Sequence, residues 1–250
     1  MSQILIFDTE TNGLPKDRNT AGNALKGNWP DILSICWMVY KDEKHIKTEY
    51  HLVKPAGWKV KSTEVHGLTE EMLEAEGKPL AEVLGIFLAD VAASKHVVAH
   101  NLRFDKNVVF SAAKWRLGVD PRVAWTWGKD VCTACKGMVK GKIPKLDFLY
   151  ESIFGKPAPE GAHNALRDVE VLKDVFFANF WPELKAAALA PANAGPSIAA
   201  AAPAAAPAAA PAPALEVLPP AKKARGKKLA KEGGTRRLKK YNRKTRRNYF

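Results

Sequence analysis

Two hydrophobic periods alternate along the first 180 positions, and the changes between them mark the elements. Residues 4–7 (Ile-Leu-Ile-Phe) are an unbroken apolar run ahead of an Asn-Gly-Leu-Pro turn at 12–15, the pattern of a short buried strand. Residues 32–40 are rich in β-formers and predict a second strand, and 46–53 alternate less cleanly and predict a third. Between the first two, residues 16–30 are polar and rich in Gly and Asn, which predicts a loop. From 79 to 94 the period becomes helical: Leu80, Val83, Leu84, Phe87, Leu88 and Val91 follow the i, i+3, i+4 rule and make one apolar stripe. A compact strand at 96–99, a helix at 104–117 stopped by Gly118, a short strand at 124–126, a helix at 146–154 and a long helix from 164 to about 181 complete the succession. Three early strands followed by helices alternating with short strands imply an α/β layer with a mixed sheet.

The pattern ends near residue 185. Residues 186–221 are mostly Ala and Pro with one charge, Glu216, too poor in large apolar residues to build a core. The chain therefore reads as a folded domain (1–185), an Ala/Pro-rich linker (186–221) and a basic tail (222–250), the last two a disordered extension. Fully extended at about 3.1 Å per residue, the linker would reach roughly 110 Å. The net charge of +13 is all in the tail, which holds fourteen Lys and Arg against Glu232, while 1–185 is nearly neutral. Basic clusters punctuated by Tyr241, Tyr249 and Phe250 suit phosphate attraction and base stacking. The first cluster would equally serve nuclear import in a host with a nucleus. No stretch has the apolar length of a membrane span and the N-terminus has no signal-peptide pattern, so the expectation is an intracellular, cytoplasmic protein with no membrane partner. Three cysteines, two of them in Cys132-Thr-Ala-Cys135, lack a second ligand pair and read as reduced thiols.

Four acids and one histidine carry the chemistry. Asp8 and Glu10 are two apart, so on a strand both project from one face. Asp105 follows the apolar run at 96–99. His163 and Asp168 are five apart, which on a continuous helix separates them by about 140°. The better geometry makes Asn164 the N-cap, with Asp168 in the first turns and His163 on the preceding Gly- and Pro-rich loop. Asp168 then shares a face with Leu172 and Val175 and points toward packed structure. Each acid alone has an ordinary reading: Asp8 as a turn residue, Asp105 favouring a helix dipole, Asp168 as a solvated helix acid. Together, acids at such buried-looking positions repel one another and resist leaving water, and divalent cations are the natural compensation.

The runs Phe7-Asp8-Thr9-Glu10-Thr11-Asn12-Gly13-Leu14, His100-Asn101-x-x-Phe104-Asp105 and His163-Asn-Ala-x-x-Asp168 resemble the three motifs of the DEDDh, or DnaQ-like, 3′→5′ exonucleases, the group of DNA polymerase III epsilon-type proofreading subunits. Val65-His66-Gly67-Leu68-Thr69 looks like a further segment of that family. The resemblance covers roughly residues 3–180 and implies a ribonuclease-H-like, mixed five-stranded sheet flanked by helices. It implies Asp8, Glu10, Asp105 and Asp168 as ligands of two Mg²⁺ or Mn²⁺ ions and His163 as general base. It further places Thr11, Leu14, His66, Asn101 and Phe104 along the substrate path. The loop at 16–30 is longer than in compact proofreading subunits, and the extension after 185 lies outside the family domain.

These residues imply hydrolysis of DNA from single-stranded or frayed 3′ ends to 5′ mononucleotides, in proofreading, repair or degradation, with a DNA polymerase as a candidate partner. A 3′→5′ exoribonuclease uses the same site, so RNA stays open as substrate. A silent nucleic-acid binder acting through its basic tail is the reading from another class. Four intact acids weigh against it.

Overall fold

The computed structural model describes residues 2–136 and 142–189. The first apolar run extends into a nine-residue strand, β1 (Gln3–Thr11), so Asp8 and Glu10 lie within the strand. β2 (Ile32–Lys41) pairs antiparallel with it, and β3 (Lys44–Leu52) pairs antiparallel with β2. The β2–β3 connection is Asp42-Glu43, both at positive φ (50° and 67°), as a tight two-residue hairpin with right-handed twist demands. On the other side of β1, β4 (His96–Ala99) and then β5 (Asp130–Cys132) add in parallel, giving the order β3-β2-β1-β4-β5.

Alternation on β1 divides the core between two faces. Leu5 and Phe7 join a cluster with Val83, Phe87 and Val91 of α3 (Leu80–Ala93) and Val108 and Val109 of α4 (Leu102–Leu117). Ile4 and Ile6 join the other, with Leu149 of α6 (Leu146–Phe154) and Val169 and Leu172 of α7 (Ala165–Val175). Phe7 has no exposed surface and meets Phe87 at 5.1 Å and Trp125 at 5.6 Å between ring centroids. Truncating such a side chain to alanine costs about 3–5 kcal/mol. β2, covered on both faces, is buried from Ile32 to Tyr40, which explains its near-continuous apolar sequence.

Several expectations need correction. Residues 124–126 are not a strand: Asp120 caps a 3₁₀ turn at Pro121–Val123 by accepting from the Arg122 amide (3.0 Å), and Trp125 drops from that turn into the core. Its indole donates to Asp130 Oδ1 (2.7 Å), at the start of the actual strand β5. The helix at 164–181 is broken and longer. After α7 the chain makes a π-helical turn, Phe176–Phe180, and continues as α8 (Trp181–Leu189). Pro182 has no N–H and its ring crowds the carbonyl four residues back, and the wider π turn accommodates both. The short helices α1 (Thr63–His66), α2 (Glu70–Glu76) and α5 (Thr133–Lys136) have no clear periodic signal. α8 includes residues 186–189 of the expected linker, and the rest of the linker and the basic tail lie outside the described residues. Among the described residues, no helix is long and apolar enough to cross a membrane.

Candidate active site

β1 and β4 run parallel, and the cleft opens at their carboxyl ends, where open α/β sheets place ligands. Asp8 and Glu10 continue the face of Ile4 and Ile6, toward α7. Thr9 points the other way, toward α4, and its hydroxyl donates to Asp105 Oδ1 at 2.7 Å. The pairing with β2 slips between Glu10 and Thr11, an irregularity that ends the ladder beside the acids. β4 turns into α4 through Asn101, held at φ 60°, and Asp105 in the first turn is only 3% exposed.

α7 is capped by the Asn164 side chain, which accepts from the Leu166 and Arg167 amides. His163 precedes it at φ 65°, exposed on the loop, and its backbone N–H donates to Asp168 Oδ2 at 3.0 Å. Arg167 Nη1 donates to the other oxygen of Asp168 (2.8 Å) and to Asp147 Oδ1 (2.6 Å), and its Nε donates to the Pro159 carbonyl (2.8 Å). One guanidinium thus joins α6, α7 and the loop that carries His163.

The acids are costly where they stand. Burial raises the Asp8 carboxyl well above its ordinary range, and Asp105, Glu10 and Asp168 add repulsion. Glu10 is pushed up to about 7 by burial, then by Asp168 and Asp105. Burial likewise raises Asp105, against the pull of the Thr9 hydroxyl. Ligand atoms of Glu10, His163 and Asp168 all lie within 4.8 Å of one another. A set of crowded carboxylate oxygens with one imidazole at the rim fits a hard divalent cation, which would remove the repulsion.

All ten residues singled out from the sequence line one cleft of about 690 Å³. Leu14 stands at the rim, 68% exposed. His66 uses both ring nitrogens on the backbone: Nδ1 accepts from the Leu68 amide (3.0 Å) and Nε2 donates to the Lys61 carbonyl (2.8 Å). It pins the turn at 61–68 and leaves no ring nitrogen for a substrate. Sequence reasoning missed Arg18, Trp29, Ser62, Arg103 and Ile143 on the cleft wall, and Arg167 behind it.

Residues 5–176 match the RNase T family, described as exonucleases, and with the acids and His163 gathered in one cleft this decides the assignment. The chain belongs to this family, as a DnaQ-like exonuclease of the DEDDh type. The family is one of nucleases, hydrolases acting on nucleic acid, and the chain has its ribonuclease-H-like fold. No curated protein matches its sequence. Its structure is similar to that of E. coli exonuclease I in complex with a dT13 oligonucleotide, with a TM-score of 0.56 at 19% identity, covering 75% of this chain and 43% of that one. A moderately thermophilic exonuclease I from Methylocaldum szegediense gives a TM-score of 0.52 at 21% identity, covering 70% and 39%. The exonuclease spans less than half the length of these proteins.

Proposed function

We propose that the protein is a divalent-metal-dependent 3′→5′ exonuclease that releases 5′ mononucleotides from DNA, in proofreading, repair or degradation. The observation that carries this reading is the convergence of Asp8, Glu10, Asp105, Asp168 and His163 on one cleft. The four carboxylates would hold two Mg²⁺ or Mn²⁺ ions, whose oxygen preference suits them. When bound, such a pair supplies charge stabilisation at both the attacking and the leaving oxygen of an in-line displacement.

The remaining work falls to the chain. His163, exposed and close to Glu10 and Asp168, takes a proton from water on an imidazole nitrogen. The Asp168 hydrogen bond to the His163 amide fixes where that ring starts from. Leu14 and Phe104 offer apolar surface to the last bases, and Thr11 and Asn101 offer polar groups beside them. DNA is favoured as substrate because the structural neighbours include exonuclease I bound to dT13 and to dA16 oligonucleotides. Residues 1–185 would be the catalytic domain, 186–221 a linker and 222–250 a basic arm that holds the polymer.

The deciding experiment compares single-stranded DNA, mismatched primer-template and RNA of one sequence, labelled at the 5′ end, with Mg²⁺, Mn²⁺ or chelator. Stepwise shortening of DNA that stops in chelator is expected, and His163→Ala should slow it by about 10²-fold or more. Cleavage that persists in chelator, or starts from the 5′ end, would overturn the proposal. Faster loss of RNA would move it to the exoribonuclease reading.

A further inference from the structure

The loop at 16–30 is held by its own hydrogen bonds and by contacts with α4. Buried Asn28 closes its base: its side chain accepts from the Asp17 amide (2.9 Å) and donates to the Asp17 carbonyl (2.8 Å), and its own carbonyl accepts from the Lys16 amide (3.0 Å). Trp29 donates from its indole to the Thr20 carbonyl (2.8 Å) and meets Phe104 of α4 edge-on at 5.8 Å. Gly22 presses on the same helix. Its amide donates to Asn107 Oδ1 (2.7 Å), its carbonyl accepts from the Trp115 indole (3.0 Å), and a Cβ there would stand 2.0 Å from the Asn107 carbonyl oxygen. Loop and helix are one packed unit.

That unit sends two arginines to the cleft, Arg18 from the loop and Arg103 from α4. Among the described residues there are five arginines, and three are paired: Arg116 with Asp31, Arg122 with Asp120, and Arg167 with Asp147 and Asp168. The two with no guanidinium hydrogen bond or close ion pair are the two on the cleft wall, and Arg103 feels Asp17 only as a weak attraction at longer range. The nearby acid Asp17 is already satisfied by the Asn19 amide (2.9 Å) and the Thr20 hydroxyl (2.6 Å). The cleft otherwise carries Asp8, Glu10, Asp105 and Asp168, so a polyanion entering it meets repulsion except at these two groups. Guanidinium forks match phosphate oxygens, and such contacts fix the position of a strand without reading its bases.

We propose that Arg18 and Arg103 form a phosphate clamp for an internal phosphodiester of the substrate strand, upstream of the bond that is cut. The site exists because the loop at 16–30 is docked on α4, and it sets how much strand the enzyme must grip. This rests on the exonuclease reading above, which it deepens by naming the contacted group.

The test uses the full chain and short DNA oligonucleotides in which one linkage at a time, counted from the 3′ end, is a neutral methylphosphonate. Binding is read by fluorescence anisotropy with divalent ions withheld. In the wild type, one or two linkages should weaken binding about tenfold when neutralised, the scale of a charge-assisted hydrogen bond. In Arg18→Ala/Arg103→Ala the same linkages should cost nothing further, and Gly22→Ala, with both arginines intact but the loop displaced, should lose the same linkage dependence. Both arginines are exposed, so the double variant should keep the wild-type melting temperature. No sensitive internal linkage in the wild type, or an unchanged pattern in the double variant, would overturn the clamp. Cleavage polarity is read separately, so binding without 3′ cleavage would reject the function and not the clamp.

Discussion

Glu10→Gln should stabilise the protein when divalent ions are absent and abolish cleavage when they are present. The folded carboxyl titrates at about 7 against an ordinary value of 4.5, raised by burial and by Asp168 and Asp105. Because the folded value lies above the unfolded one, the folded state keeps a proton that the unfolded chain has released. Stability therefore falls as pH rises from about 4.5 to about 7 and levels off above that. At 1.36 kcal/mol per unit the whole shift would amount to about 3 kcal/mol, and partial exposure of Glu10 with charge shared among the acids reduces this to about 1–2 kcal/mol. Glutamine keeps the shape and removes the charge. Urea unfolding in chelator, followed from about pH 5 to about pH 8, should show a steeper loss for the wild type than for the variant. Adding Mg²⁺ should then stabilise the wild type by mass action and the variant far less. A wild-type midpoint that does not move with pH in chelator, or a variant no more stable than wild type at the alkaline end, would refute the claim that crowded acids stress this fold.

Arg167→Met should lower turnover several-fold with little change in oligonucleotide binding, because the loop carrying His163 loses its tie to α6 and α7. Arg167→Lys should restore part of the rate. With the side chain 11% exposed but Asp147 45% exposed, the stability cost should be about 1–3 kcal/mol, checked by thermal unfolding beside single-turnover rates. Cutting the chain after Leu189, which spares α8, should leave turnover on a short oligonucleotide unchanged. It should weaken binding to long strands and flatten the salt dependence by about 0.7 in log-log slope for each single-strand phosphate that the arm no longer neutralises, and equal slopes would reject the basic arm.

The parts of the fold that depend on local pattern were legible, and those that depend on distant partners were not. The two-residue spacing of Asp8 and Glu10 gave their common face, and the five-residue spacing of His163 and Asp168 gave the cap at Asn164. β5 failed to show because Asp130-Val-Cys132 has one large apolar residue, and its backbone pairing with β4 makes it a strand. The triplet Ala124-Trp125-Thr126 misled because Trp125 is buried from a turn. Arg18, Arg103 and Arg167 are ordinary surface-type residues in sequence, and only the fold brings the first two to the cleft wall and the third to Asp147 and Asp168.

The chain contains the same spacing twice, His100-Asn101-x-x-x-Asp105 and His163-Asn164-x-x-x-Asp168, and spacing alone does not say which histidine can move a proton. The structure gives the two histidines different surroundings, and these favour His163 under the proposed reading. His100 is spent on architecture: Nε2 donates to the Pro144 carbonyl (2.8 Å), which leaves Nδ1 to accept from the buried Thr133 hydroxyl (3.0 Å), and burial lowers its pKa. His163 instead sits on an exposed loop, with a ring nitrogen within 4.8 Å of ligand atoms on Glu10 and Asp168. The left-handed backbone residue also changes place, from Asn101 in the first copy to His163 in the second. Such a conformation is costly for a residue with a side chain and persists only where surrounding structure imposes it. Here the Asp168 hydrogen bond to the His163 amide imposes it. The acid that would hold a metal ion therefore also sets the backbone from which the proposed base would reach the cleft.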